Sequence, residues 1–247
     1  MAALIHTEVL KLRTVRSPWL LLAAAPLLVI AGISGLVISG NDLRAPGAQS
    51  QALAHVGLTS IFTVAFGILA VAGEYRHKTI TDTYLSSPAR ARVVVAKLGV
   101  YAISGALSGV LSAVAGLVVA AAWWSDKGVP FAWGNSVMWA TIGGSIVWNA
   151  AFAAIGVGVG ALIRSLVGAL AVALVWIALV EGVVGQLIGG LARWLPFNAG
   201  QALGAGAGKP MIASGLLPRW GGGVVLALYT IAFAAAALTT SLRRDVS

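Results

Sequence analysis

The 247-residue sequence has no cysteine and very little charge, with lysine, arginine, aspartate and glutamate together making up 9% of it. Without cysteine there can be no disulfide, no thiolate metal ligand and no thiol nucleophile. So little charge cannot coat a globular surface, because soluble domains carry roughly 25% charged residues. Acidic residues are scarcest, 7 against 16 lysines and arginines. What is present is apolar: 59% of the residues, with a mean hydropathy of +0.95. This excludes an ordinary water-soluble enzyme and leaves no polar stretch long enough to fold as a second domain. The fold class expected is an all-α polytopic membrane protein, with residues 1–247 forming a single transmembrane domain.

Apolar runs near 18–40, 54–73, 98–124, 136–163, 166–190 and 221–242 predict six transmembrane helices, since crossing a hydrocarbon core takes about 20 helical residues. Lys11, Arg13 and Arg16 precede the first run as they would a signal core. The stretch from Trp19 to Val37 exceeds the roughly 7–15 residues of such a core, so it is read as a retained span. With both termini inside, Lys11, Arg13, Arg16, Arg76, Lys78, Arg90, Arg92, Lys97, Arg164, Arg243 and Arg244 are cytoplasmic. Arg44, Lys127, Arg193, Lys209 and Arg219 then lie opposite. This orientation obeys the positive-inside rule and its inverse does not. The net charge of +9 is thereby assigned to topology and anionic headgroups rather than to nucleic acid.

Three segments lie outside the spans. Residues 1–17 place Ile5, Val9, Leu12 and Val15 near helical spacing, with Glu8, Lys11, Arg13 and Arg16 mostly elsewhere around the helix. This predicts an amphipathic interfacial helix, either a topology anchor or a docking element. Residues 74–97 are the most polar part of the chain and longer than a minimal helix hairpin needs. Thr79 to Leu85 can form a turn or two of helix, Ser86-Ser87-Pro88 ends it, and Arg90, Arg92 and Lys97 are expected at the headgroups. Residues 190–221, with Trp194, Pro196, Pro218 and Trp220, predict short helices re-entering the outer interface.

Little in the chain suggests chemistry of its own. His6, His55 and His77 have no neighbours at metal-ligand spacing. The run from Gly204 to Lys209 resembles a phosphate loop but has Leu203 for the first glycine and Pro210 for the hydroxyl residue. Gly156-Val157-Gly158-Val159-Gly160 lacks a dinucleotide fingerprint. Thr59, Ser60, Thr63 and Asn149 read chiefly as hydrogen-bond partners between helices, and the small residues Gly105, Gly109, Gly156, Gly158 and Gly160 as points of close approach. Glu181 is the one acidic residue in an apolar run. It either lines a path through the membrane or sits hydrated or paired with Arg193 at the outer interface.

The sequence Gly73-Glu74-Tyr75-Arg76-His77-Lys78-Thr79-Ile80 at the exit of the second run, followed by Ser87-Pro88 and Arg92, resembles the ABC-2 type exporter permeases. The most specific positions are Glu74, Arg76, Thr79 and Ile80; Lys78 stands where many members have glycine. The interfacial helix, six spans and re-entrant outer segment extend the resemblance to essentially the whole chain. It implies a membrane subunit without a nucleotide site, working as a homo- or heterodimer with two cytosolic ATP-binding cassette subunits, which would bind ATP and Mg. It further implies that loop 75–92 carries a coupling helix seated in a groove of the ATPase. Glu74, Arg76, Lys78, Asp82, Tyr84, Arg90 and Arg92 are the candidate coupling residues, with topology retention the alternative role for the arginines. Glu181 and Asn149 are the candidates for the translocation pathway. The outer aromatics and sparse buried charge point to export of an amphipathic or hydrophobic cargo such as a drug, antibiotic peptide or lipid, and the Ala-, Gly-, Val- and Arg-rich usage to a bacterial plasma membrane. The competing reading is a membrane anchor or sensor for a partner protein that moves nothing.

Overall fold

The computed structural model describes residues 1–86, 89–184, 187–204 and 215–243. Ser87, Pro88, Arg244, Lys209 and most of the phosphate-loop-like run lie outside the described residues, as does the side chain of Tyr84. Among the described residues every regular element is helical. Six helices among the described residues are long and apolar enough to cross a membrane: Pro18–Ile38, Ala48–Arg76, Arg90–Asp126, Ser136–Ile163, Leu166–Val183 and Arg219–Thr240. Each corresponds to one of the six expected runs.

Two spans start well before the expected residue, for reasons visible in the backbone, and the fifth ends at Val183 rather than 190. The second span begins earlier because three consecutive helices, Ala48–Leu53, His55–Leu58 and Ser60–Arg76, run into one another. The third starts at Arg90 and runs for 37 residues, roughly 55 Å at 1.5 Å per residue against a core of about 30 Å. Arg90 and Arg92 therefore stand in the first turn of this helix rather than in a loop.

Local chemistry sets the helix ends. Helix α1, Ala2–Thr14, is separated by extended Val15 from the first span, α2, Arg16–Ile38, and the three helices of the second span are α3, α4 and α5 in chain order. The second span stops in a Schellman turn: Thr79 N–H donates to Glu74 O at 3.0 Å and Lys78 N–H to Tyr75 O at 3.3 Å. Lys78 sits there at φ +56, the left-handed conformation that glycine adopts most readily. Asn135 caps the fourth span by accepting from Val137 and Met138 N–H. Arg164, at φ +56, ends that span, and Ser165 caps the fifth through Gly168 N–H. A two-residue turn between two long apolar helices forces them into neighbouring antiparallel positions.

The second and fourth spans are the most enclosed and the fifth the least. Their backbones meet at glycines: a Cβ on Gly67 would collide with Ala153 O, and one on Gly156 with Val64 O. Gly105 packs in the same way against Asn149 O, so the third span also closes on the fourth. Small residues allow this approach where lipid offers no hydrophobic drive to association. The fourth span is the hub of the bundle.

Basic residues gather at one end. Lys11 meets Glu74, Lys97 meets Glu74, and the Arg164 guanidinium lies 5.2 Å from the centre of the Tyr75 ring. These contacts draw α1 and the adjoining ends of the second, third and fourth spans together. Arg44 and Lys127 line one cavity away from this end, and Arg219 donates to Thr141 near the start of the fourth span.

Candidate functional site

At the basic end, four charged side chains from three helices form one buried cluster. Lys97 Nζ lies 2.7 Å from Glu74 Oε1 and 2.9 Å from Glu8 Oε2, and also donates to Ala70 O at 3.0 Å. Lys11 Nζ lies 2.6 Å from Glu74 Oε1 and 2.9 Å from Glu8 Oε1. Lys97 is 2% exposed, Glu8 3% and Glu74 8%. Two carboxylates and two ammonium groups cancel in charge, and such pairing is what lets charges leave water. Burial alone would lower the affinity of Lys11 for its proton, but Glu74 and Glu8 together raise its pKa above the ordinary lysine value.

Two expectations are corrected here. Lys97 does not face the headgroups: the helix that begins at Arg90 carries it inward, where Val93, Val94, Val100 and Tyr101 are buried around it. Glu8 does not belong to the polar surface of α1; it is the buried residue of that helix. Three and four residues from Ile5 and Leu12, it shares their face, so a carboxylate on that face had to find a cation.

The cluster is the root of the polar segment expected between the second and third spans. Of the candidate coupling residues, Glu74 is inside it. Arg76, Lys78, Asp82 and Arg92 are exposed around it, and Arg90 is half-buried. A short helix, α6, Ile80–Ser86, follows the Schellman turn. Ile80 is buried at its start, whereas Leu85 is 76% exposed near its end. Sequence reasoning passed over Leu85, although a leucine among Thr, Asp and Tyr on a two-turn helix has few ways to be buried.

Asn149 is fully buried in the fourth span. Its Nδ2 donates to Val56 O at 3.1 Å and Ser145 O at 2.9 Å, and its Oδ1 accepts from Thr59 at 2.9 Å. Thr63 donates to Asn149 O at 2.9 Å. These bonds serve Val56 O, next to the break in the second span around Thr59, and they tie that span to the fourth.

Glu181 is also fully buried, and no ion pair joins it to Arg193, which stacks near Trp194 instead. Its carboxylate accepts from Phe197 N–H and Asn198 N–H, both at 2.9 Å, from Asn198 Nδ2 at 3.3 Å and from Trp176 Nε1 at 3.1 Å. The helix Pro196–Leu203 has Leu195 at its N-cap, which offers no side-chain oxygen. Glu181 supplies that oxygen from elsewhere in the chain, to the two N–H groups an Asp cap would serve. The fifth span is π-helical over Trp176–Val184, and an i→i+5 repeat sets Trp176 and Glu181 on one face.

Glu181 closes one end of an apolar cavity of about 410 Å³ between the second, fourth, fifth and sixth spans. Phe152, Ile155, Trp176, Ile177, Tyr229 and Phe233 are among its walls, and its volume falls in the range of small-molecule pockets. Asn149 is not in its lining. The nearby segment expected to re-enter the outer interface contains the short helices Gly189–Ala192 and Pro196–Leu203. The second is buried along nearly its whole length, with Phe197 edge-on to Trp148 at 5.0 Å.

No curated protein matches the chain. A family model described as ABC-2 family transporter protein matches residues 2–203, which takes in α1, the buried charge cluster, the segment with α6 and the first five spans. Six membrane-length helices and a match over most of the sequence lead to one conclusion: the chain belongs to the ABC-2 transporter family, membrane components that work with an ATP-binding cassette partner.

Proposed function

We propose that this protein is the permease subunit of an ATP-driven exporter, pairing with a second permease copy and with two cytosolic ATP-binding subunits that hold ATP and Mg. Both termini face the cytoplasm of a bacterial cell, and the cargo is amphipathic or hydrophobic. The observation that carries this reading is the buried charge cluster. It fastens α1 and the roots of the second and third spans to one another. A force applied to α6, joined to this base by the turn at Lys78, is thereby delivered to two spans at once rather than absorbed by a loose loop. Such rigid transmission is what shifting helices between inward- and outward-open arrangements needs.

The partner surface is then α6 with its exposed neighbours. Leu85 is its exposed apolar residue, and the same segment carries exposed Arg76, Lys78, Asp82 and Arg92 and half-buried Arg90, with Tyr84 beside them in sequence. An exposed leucine in a segment rich in charge suits a protein groove, where an apolar anchor gives affinity and charges give orientation. On the cargo side, the 410 Å³ cavity is nearly without free polar groups and suits an apolar moiety. Glu181 shapes it by holding helix Pro196–Leu203 at its end, while Asn149 keeps the second and fourth spans in register beside it.

Because the native chain has no cysteine, Thr81→Cys on the exposed side of α6 gives a single reactive thiol. With a thiol-reactive cross-linker of short reach, it is expected to join the ATPase subunit in membranes. Cross-linking to lipid or another copy of the chain, and never to an ATPase, would overturn the coupling role of this segment.

A further inference from the structure

A second apolar hollow, of about 400 Å³, lies beneath α1. Ile5, Val9 and Leu12 of α1 roof it, and Arg13, Pro18 and Trp19 stand where α1 turns into the first span. From there it follows one face of the third span past Val100, Ile103, Leu107 and Leu111. Ile103, Leu107 and Leu111 are each more than half exposed, so the protein itself leaves this lane uncovered. The eleven-residue step from Val100 to Leu111 is about 16 Å of helix, close to half of a hydrocarbon core about 30 Å thick. The hollow thus begins at a cation and an indole, groups that settle at headgroup level. It ends one leaflet deep.

We propose that this groove holds one acyl chain of an anionic glycerophospholipid, with the phosphate of the headgroup against Arg13. The length matches a single chain of a single leaflet, and the lining is apolar except at Arg13 and Ser104, whose hydroxyl is already bonded to Val100 O at 2.8 Å. Charge complementarity selects the headgroup: the groove opens at the basic end of the bundle, beside Lys11 and α1. The buried cluster holds α1 through Glu8, on the same face as Ile5 and Leu12, but none of its four charged residues lines the groove. The leaflet is the cytoplasmic one on the orientation proposed above, but occupancy of the groove does not depend on transport or on an ATPase.

The test is native mass spectrometry of the full chain, with any bound partner, released from mild detergent containing equimolar phosphatidylglycerol and phosphatidylethanolamine. Wild type should carry one phosphatidylglycerol per chain in about fivefold preference, what one basic residue near a membrane surface supplies. Arg13→Gln should remove the preference while leaving a lipid adduct. Leu107→Trp, at an exposed position that does not disturb packing, should block the lane and remove the adduct. An adduct unchanged in Leu107→Trp would overturn the site, as would a wild-type groove found lipid-free and a Leu107→Trp variant that loses only dimer mass. An unaltered headgroup preference in Arg13→Gln would overturn the role of Arg13. None of these outcomes bears on whether an ATPase binds.

Discussion

Lys97 carries its ammonium group into the base of the third span, where it is 2% exposed and held by Glu8, Glu74 and Ala70 O. Removing one member of a buried ion set leaves another charge uncompensated, a loss of about 3–5 kcal/mol. Lys97→Met should therefore lower the thermal midpoint of the purified protein sharply and free α1 for proteolysis. Adding Glu8→Gln, which leaves Lys11 paired with Glu74, should recover part of the loss; no recovery would mean that Lys97 acts by packing alone. Lys78 offers the opposite sign. At φ +56 it holds a conformation that disfavours side chains by roughly 1–2 kcal/mol, a cost that glycine does not bear. Lys78→Gly should keep or raise the thermal midpoint, and Lys78→Val should lower it.

Among the elements, helix Pro196–Leu203 depends most on a distant residue. Replacing Glu181 by Gln keeps one acceptor oxygen but turns an N–H group toward Asn198, itself a donor, at a cost of about 1–3 kcal/mol. The variant should melt earlier. Because the helix closes the 410 Å³ cavity, transport per folded molecule should change too; transport equal to wild type after correction for folded protein would detach the cavity from the cargo. The elements themselves were largely legible, since an apolar run of span length has few other fates, and the helix α6 follows from Thr79-to-Leu85 spacing and the proline after it. The partnerships were less so. The sequence leaves Glu181 open between a path through the membrane and a hydrated or Arg193-paired place at the interface, because the peptide N–H groups of a helix start serve a carboxylate as well as a cation does and composition does not say which start is near. Glu8 was misplaced on the polar face, although its spacing from Ile5 and Leu12 puts it with them. Lys97 was misread because a basic residue just before an apolar run is ordinarily at the headgroups; here the helix begins seven residues earlier.

As a whole, the molecule divides into two ends with different chemistry and a hub between them. The fourth span, with Gly156 against Val64 O and Asn149 against the broken second span, leaves little room for relative movement of the second and fourth spans. The fifth, π-helical over Trp176–Val184 and sparsely covered, is freer to shift. On the proposed reading, a push delivered at the charge cluster would move the second, third and fourth spans together, with the sixth held to the fourth where Gly158 meets the Phe233 backbone, against the fifth across the apolar cavity. This account stands on the chain being driven from its basic end by an ATPase. The most direct measurement is co-purification from mild detergent, with the retained chains identified by mass and their ATP hydrolysis assayed in vesicles containing wild type or Arg76→Glu. The account predicts a stoichiometric ATP-binding cassette subunit whose hydrolysis is tied to transport in wild type and uncoupled from it in Arg76→Glu. A chain that purifies alone or with a partner that does not hydrolyse ATP would contradict it, and would leave a membrane anchor in place of an exporter.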